Sequence, residues 1–251
     1  MKTALQQYQQ EHGFGGWLPK AVLFDMDGVL YDSMPNHAVA WQQSMESFGI
    51  HMTAEDAYAT EGARGVDTIR NMVLLQQGRT IDEAEAQRMY DEKTRCFHAL
   101  PTAPVMPGVL RLMRMIHDDG LTIGVVTGSG QRPLINRLLD DFGQFLTDGH
   151  IVTAYDVKRG KPAPDPYLMG MKKVGSKPAT TIVVENAPLG IRAGVASGAF
   201  TIAVNTGPLP NQQLLDQGAN LIFPDMHQLS DHWRQINPYG QIARLKMERP
   251  I

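Results

Sequence analysis

The sequence has a single cysteine, Cys96, among 251 residues. An internal disulfide needs two cysteines, so none can form, and a cysteine-based zinc site is not expected. The chain also lacks any apolar run near the roughly 18 residues that cross a membrane. Its first 16 residues are polar and glutamine-rich, without the apolar centre of a signal peptide. We therefore expect a cytoplasmic protein with no membrane partner.

An excess of basic residues is lacking as well. Lysine and arginine number 23 against 26 aspartate and glutamate residues, for a net charge of −3. Nucleic-acid-binding proteins carry a basic surface, so a nucleic-acid partner is not expected. A hydrophobic content of 43% and a charged content of 20% are ordinary for a globular protein. The length allows one large domain, or a core with a smaller insert, and we expect a monomer.

Short apolar segments recur along most of the chain, and segments of helical periodicity separate them. The apolar segments are 21–24, 121–127, 181–184, 200–205 and 221–223, and the clearest helical ones are 109–120 and 133–143. Near-continuous apolar strands alternating with helices are typical of a parallel sheet covered on both faces. The pattern predicts an α/β fold with a Rossmann-like, doubly wound parallel sheet. Ligands of such sheets bind beyond the carboxyl ends of the strands.

One region interrupts this alternation. Residues 34–103 contain no convincing strand, and three segments have the pattern of amphipathic helices: "HAVAWQQSMESFG", "GVDTIRNMVLLQQG" and "TIDEAEAQRMYDEKTRCFHAL". Thr80 and Glu83 have capping-box spacing at the start of the third. We predict a polar leader over 1–18, a core formed by 19–33 and 104–251, and an all-helical insert over 34–103.

Two acids directly follow the first apolar segment. Asp25 and Asp27 come after "AVLF", and residues two apart on an extended backbone point to the same side. Burying a charge is costly, and like charges held close together repel. A positive charge is therefore expected between or beside them.

The segment "DMDGVL" at 25–30 resembles the first signature of the haloacid dehalogenase (HAD) superfamily of phosphotransferases. Segments similar to its other three motifs follow in the family's order: "VVTGSG" with Thr127, "GKPAPDPY" with Lys161, and "VVENAPLGIRAG". The helical insert lies where the family's C1 cap belongs. The chain thus resembles the β-phosphoglucomutase-like branch of the superfamily.

This resemblance implies a chemistry for each motif. Asp25 would be the nucleophile that forms an aspartyl-phosphate, and Asp27 the general acid and base. Lys161 would offset the negative charge of nucleophile and phosphate. Hydroxyl and N–H groups before a helix would hold the phosphate oxygens, namely those of Thr127, Gly128 and Ser129.

The resemblance also implies Mg²⁺ as cofactor, a cation that prefers oxygen ligands. Its expected protein ligands are the Asp25 carboxylate, the Asp27 backbone carbonyl and a side chain of the fourth motif. Relatives in this branch usually have Glu-Asp there, whereas this chain has Glu185 followed by Asn186. We predict Asn186 as the ligand, with Glu185 orienting a metal-bound water. Direct binding by Glu185 is the alternative.

A second departure lies in "TEGARG", residues 60–65, where sugar-phosphate mutases commonly have a lysine in the cap loop. This chain has Glu61. A carboxylate about 4 Å from a bare phosphate would oppose binding by about 4 kcal/mol, so Glu61 suits a metal, a metal-bound water or a donor on the substrate. Arg64 is a candidate phosphate contact or a solvated loop residue. His37, in the first insert helix, is open between core packing and active-site contact.

The segments "ENAPLG" and "VNTGPL", together with Glu61, resemble a bacterial HAD inorganic pyrophosphatase. Pyrophosphate is compact, and its leaving phosphate needs little proton assistance. Hydrolysis of pyrophosphate is therefore the leading hypothesis for this small-phosphate enzyme. The alternative is a β-phosphoglucomutase or a small sugar-phosphate phosphatase. A binding module without catalysis is a third hypothesis, favoured only by Asn186.

Overall fold

The computed structural model describes residues 1–13, 17–129 and 132–238. Six strands form one sheet in the order β3-β2-β1-β4-β5-β6, and every neighbouring pair is parallel. The strands are β1 (Ala21–Phe24), β2 (Thr122–Val126), β3 (Ile151–Val152), β4 (Thr181–Glu185), β5 (Phe200–Val204) and β6 (Leu221–Phe223). This order confirms the predicted doubly wound parallel sheet.

Seven helices surround the sheet among the described residues. They are α1 (Lys2–His12), α6 (Val109–Asp118), α7 (Arg132–Phe142), α8 (Asp165–Lys173), α9 (Pro188–Ala196), α10 (Asn211–Leu215) and α11 (Met226–Ile236). Short 3₁₀ turns occupy Asp148–His150 and Pro178–Thr180. No helix in these ranges is both long and apolar enough to cross a membrane.

Alternate residues of β1 face opposite layers of helices. Val22 and Phe24 join the large cluster built with α6, α7 and α11. Leu23 points the other way, into a cluster with Tyr167 and Met171 of α8. Because both faces of the strand are covered, every residue of β1 is buried, which explains why its sequence is apolar throughout rather than alternating.

The segment between β1 and α6 folds as four helices: α2 (Met34–Glu46), α3 (Ala54–Ala59), α4 (Gly65–Gln77) and α5 (Glu83–His98). They share an apolar cluster that includes Trp41, Ile50 and Met89. We call these helices and their loops the cap. The sequence did not predict α3, which is only 6 residues long. The predicted Thr80 cap of α5 is wrong, because the helix begins after Asp82, whose side chain accepts from Glu85 N at 2.7 Å.

The N-terminal segment is helical and packs onto the sheet domain. Leu5 and Tyr8 belong to the main apolar cluster, and Tyr8 Oη donates to Gly198 O at 2.7 Å. Trp17 lies against the Tyr8 ring, edge to face, with ring centroids 5.5 Å apart. The predicted polar leader is thus attached to the core through its apolar side. Residues 14–16 of the predicted leader lie outside the described residues.

The order in which strands are added to the sheet reverses between the neighbouring strands β1 and β4. Ligands of doubly wound sheets bind at such a switch point, beyond the carboxyl ends of the strands. Asp25 follows β1 here, and Glu185 ends β4. Asp25 N donates to Val184 O at 3.0 Å, so the two carboxyl groups lie at the same edge.

Candidate active site

Lys161 lies between two buried carboxylates at this edge. Its ammonium group donates to Asp25 Oδ1 and, at 2.6 Å, to Glu185 Oε1. Only 3% of the Lys161 side chain is exposed, so water does not screen the interaction. Burial lowers the pKa of Lys161, but the two carboxylates outweigh it and raise that pKa above its usual value. Burial raises the pKa of Asp25, and Lys161 opposes that rise. Lys161 therefore supplies the positive charge beside Asp25.

The acceptor positions of Glu185 are filled. Oε1 accepts from Lys161 and, at 2.7 Å, from Tyr167 Oη. Oε2 accepts the backbone N–H groups of Asn186 at 3.0 Å and Ala187 at 3.2 Å. A carboxylate has about four lone-pair sites, so none is left for a metal or a metal-bound water. The geometry therefore gives Glu185 the role of holding Lys161, and it does not support Glu185 as a ligand.

Asp27 is connected to the cap through a chain of side chains. Ser33 Oγ donates to Asp27 Oδ1 at 2.6 Å, and His37 Nε2 lies 3.3 Å from the same oxygen. Lys93 Nζ lies 2.8 Å from His37 Nδ1. A lysine ammonium can only donate, so a ring N–H of His37 is assigned to Nε2, facing Asp27. Burial raises the pKa of Asp27, but His37, Ser33 and Lys93 together hold that pKa below its usual value.

The second motif forms a loop after β2. Thr127 is buried, its N–H donates to Val152 O at 2.9 Å, and its hydroxyl accepts from Ser129 N at 3.0 Å. Gly128 and Ser129 line a chamber that Asp25 and Asp27 also line. The structure thus brings the predicted phosphate loop to the two acids. Residues 130 and 131, before α7, lie outside the described residues.

The chamber between cap and core measures about 90 Å³. From the cap it is lined by side chains of α2 and α5 and by the loop after α3, among them His37, Trp41, Glu61, Tyr90 and Lys93. Glu61 is half-buried there, and burial raises its pKa. His37 therefore contacts the site, and Glu61 faces it. An apolar cavity of about 150 Å³ holds benzene, so this chamber suits a compact ligand.

Arg64 does not line this chamber. It lines a neighbouring cavity of about 290 Å³ on the other side of the 62–63 loop, together with Thr127 and Lys158. Its side chain is 59% exposed and lies 3.9 Å from both Asp67 and Glu83. This second cavity is also lined by Gly128 and Lys161, so the phosphate contact suggested for Arg64 stays a prediction beside the solvated alternative.

The donor set at the switch point fits Mg²⁺. Asn186 Oδ1 is buried and has no hydrogen-bond partner among the described residues. A buried acceptor without a partner is costly, and a cation would satisfy it. Within the described ranges no group of three His, Cys, Asp or Glu side chains has metal-binding spacing. The predicted Mg²⁺ site would instead combine one carboxylate, from Asp25, with the Asp27 backbone carbonyl and the Asn186 amide oxygen. Oxygen atoms of all three kinds are suitable ligands for Mg²⁺.

Residues 19–198 match the family model of the haloacid dehalogenase-like hydrolases. The chain belongs to this family. Asp25, Thr127 and Lys161 lie within the matched range. Together with the relatives described next, the match supports a HAD-like phosphatase of the β-phosphoglucomutase-like branch.

Three relatives illustrate the range of this branch. Hexitol phosphatase A of Escherichia coli K12 is 33% identical over 191 residues, which is 74% of this chain and 83% of that protein. Beta-phosphoglucomutase of Bacillus subtilis 168 is 27% identical over 226 residues, 86% and 96% of the two chains. A solved structure from Bacteroides vulgatus, provisionally described as a beta-phosphoglucomutase, has a TM-score of 0.90, 47% identity and coverage of 94% and 96%.

The predicted resemblance to a pyrophosphatase finds no support in these comparisons, which favour enzymes of sugar phosphates. Sequence reasoning also missed three residues of this HAD site: Ser33, Lys93 and Tyr167. Lys93 gave a detectable signal, because it shares the buried face of α5 with Met89 and Cys96. A lysine is almost never buried without a partner. Ser33 and Tyr167 gave no comparable signal.

Proposed function

We propose that the protein is a Mg²⁺-dependent phosphohydrolase that acts on a small phosphorylated compound through an aspartyl-phosphate on Asp25. The observation that carries this proposal is the buried group of Asp25, Lys161 and Glu185, with Asp27 two residues away and tied to the cap through His37. A nucleophile, its charge partner and an acid/base are what phosphoryl transfer to a side chain needs.

The residues divide the reaction into two steps. An oxygen of Asp25 attacks phosphorus, the bond from phosphorus to the leaving oxygen breaks, and Asp27 gives that oxygen a proton. Asp27 then takes a proton from the water that attacks the aspartyl-phosphate, which releases phosphate and restores Asp25. Lys161 keeps the Asp25 carboxylate in place and offsets its charge. Mg²⁺, held by Asp25, the Asp27 carbonyl and Asn186, would supply positive charge against the phosphate oxygens.

A small sugar phosphate is the first candidate substrate. The support is the naming of relatives: a hexitol phosphatase, a beta-phosphoglucomutase and a fructose-1-phosphate phosphatase of Escherichia coli K12, the last 28% identical over 184 residues. Such a substrate needs more room than about 90 Å³, so the cap would have to open further than it does here.

Pyrophosphate is the second candidate, and the geometry of the chamber favours it. The chamber is small, and Glu61 presents a carboxyl group where a sugar-binding cation would otherwise help. His37, Ser33 and Lys93 outweigh the effect of burial and hold the pKa of Asp27 below its usual value, so this carboxyl group favours its deprotonated form. A phosphate leaving group needs less protonation than a sugar alkoxide, so it tolerates an acid that is seldom protonated better.

The test is phosphate release with Mg²⁺ from four substrates: hexitol phosphate, fructose 1-phosphate, β-glucose 1-phosphate and pyrophosphate. Conversion of β-glucose 1-phosphate to glucose 6-phosphate is followed in parallel, because a mutase transfers phosphate without releasing it. Asp25→Asn is expected to abolish all turnover. Turnover that survives in Asp25→Asn would refute the aspartyl-phosphate route.

Glu61→Gln separates the two substrate classes. If pyrophosphate is the substrate, we expect it to lead the panel by orders of magnitude and to lose that lead in Glu61→Gln. If a sugar phosphate leads in the wild type and Glu61→Gln leaves its kcat/KM unchanged, the first candidate stands and pyrophosphate is excluded. Glu55→Gln is the matched control, because Glu55 is an exposed acid of the same cap segment and does not line the chamber.

A further inference from the structure

Tyr58 belongs to the cap but packs against the core. It lies near the end of α3, half-buried, and contacts the apolar cluster inside the cap. The same side chain packs on a separate cluster of the sheet domain that includes Ile191, Leu209 and Leu214. Tyr58 does not line the catalytic chamber. It therefore joins cap and core at a place apart from the reacting groups.

The core offers this ring a notch at Gly207. A Cβ atom built on Gly207 would come within 2.5 Å of Tyr58 Cδ1 and 2.6 Å of Cε1. Gly207 is not among the glycines with positive φ, so its backbone would accept another residue. What excludes a side chain at this position is the Tyr58 ring. Because Gly207 has no Cβ, the Tyr58 ring of the cap can pack directly against its backbone.

The loop that carries Gly207 is attached to the active site. Thr206 Oγ1 donates to Gly28 O at 2.7 Å, and Gly28 follows Asp27 in the chain. Asn205 Nδ2 donates to Leu209 O at 2.8 Å and so closes the loop on itself. The Tyr58 ring therefore packs on a loop that is hydrogen-bonded to the backbone next to Asp27.

We propose that Tyr58 is a positioning residue that holds the cap closed over Asp25 and Asp27 by inserting its ring into the notch at Gly207. The inference rests on the proposed function, because closure matters here only if the chamber is catalytic. Packing far from the reacting groups can stabilise the closed arrangement in which His37 and Lys93 reach Asp27.

The test measures cap position separately from activity. Spin labels are placed on Leu75→Cys in the cap and Tyr155→Cys in the core, which are 79% and 86% exposed, in a Cys96→Ser background. We expect Tyr58→Ala and Gly207→Ala each to shift the label-to-label distance toward longer values without substrate. Gly149→Ala is the matched control, since a Cβ there meets nothing closer than 4.0 Å, and it should leave the distance unchanged.

Activity on the best substrate of the panel gives the second readout. Both changes are expected to lower kcat/KM about tenfold, the scale on which an overpacked or lost contact shifts an equilibrium. In a Tyr58→Ala background, Gly207→Ala should add little, because the clash it creates is gone. Circular dichroism verifies that each variant is folded, and Tyr58→Leu replaces Tyr58→Ala if the latter is not.

Each outcome decides the proposal. Unchanged distances in folded Tyr58→Ala and Gly207→Ala would overturn it, as would additive losses in the double variant. If the wild type turns over no substrate of the panel, the proposed function fails, while the distances still decide whether Tyr58 holds the cap.

Discussion

Replacing Lys161 by methionine is the most direct test of the buried charge group. The change keeps much of the apolar stem and removes the cation between Asp25 and Glu185. Both carboxyl groups lie in positions that are at most 9% exposed. Breaking a buried ion pair by removing one partner costs about 3–5 kcal/mol, since the remaining charge stays buried. The whole free energy of unfolding of a domain is about 5–15 kcal/mol, so the loss should be large.

The assay is urea unfolding of the metal-free protein, with EDTA present and the free energy extrapolated to water. Lys158→Met is the matched control, because Lys158 is an exposed lysine three residues earlier in the same loop. Its effect should stay within about 0.5 kcal/mol. Adding Glu185→Gln to Lys161→Met removes the uncompensated charge and should recover part of the loss.

The loss in Lys161→Met should depend on pH with a defined sign. Burial raises the pKa of Asp25 in the folded state, and Lys161 opposes that rise. Without Lys161, the folded-state pKa should therefore lie further above the unfolded-state value of about 3.9 than it does in the wild type. A folded carboxyl that binds its proton more tightly than the unfolded one stabilises at low pH and loses that stability as pH rises. The deficit against wild type should therefore grow as pH rises above the unfolded-state pKa of Asp25. A deficit that equals that of Lys158→Met, or that shrinks as pH rises, would refute the reasoning.

Three further predictions concern other parts of the molecule. Mg²⁺ should raise the Tm of the wild type but not of Asn186→Ala, because the unpartnered amide oxygen is lost; a calorimetric scan with and without the metal decides this. Lys93→Met should lower kcat about tenfold with little change in KM, since the hydrogen bond to His37 orients the group facing Asp27; steady-state kinetics test it. Tyr8→Phe should cost about 1 kcal/mol in urea unfolding, as the bond to Gly198 is removed, and no loss would mean that α1 is held by its apolar contacts alone.

The sheet was predictable because its strands are buried on both sides. Continuous apolar runs such as 21–24 and 221–223 coincide with β1 and β6 at both ends. The two-residue strand β3 was not predictable, because two apolar residues carry no period. The start of α5 was missed for another reason. Thr80 and Asp82 are both good helix caps, and the sequence does not show which one the chain uses.

The site was predictable where residues follow strands. Asp25 follows β1, Thr127 follows β2 and Glu185 ends β4, and parallel strands bring their carboxyl ends to one edge. The contact between Lys93 and His37 joins two helices 56 residues apart, and no local pattern specifies which helix faces pair. The position of Arg64 could not be predicted either, because the conformation of the cap loop decides which cavity its side chain lines.

The charges of the site explain why a phosphate would need a divalent cation to bind there. Asp25, Asp27, Glu61 and Glu185 bring four carboxyl groups, and Lys93 and Lys161 bring two cations. Lys161 is fully used by Asp25 and Glu185, and Lys93 lies behind His37. A doubly charged phosphate entering between Asp25 and Glu61 would thus meet carboxyl groups with no free lysine beside it, at a cost of several kcal/mol. A divalent cation bound by Asn186 would reverse that balance. The proposed Mg²⁺ would thus explain both the unpartnered amide oxygen and a proposed phosphate site lined largely by acids.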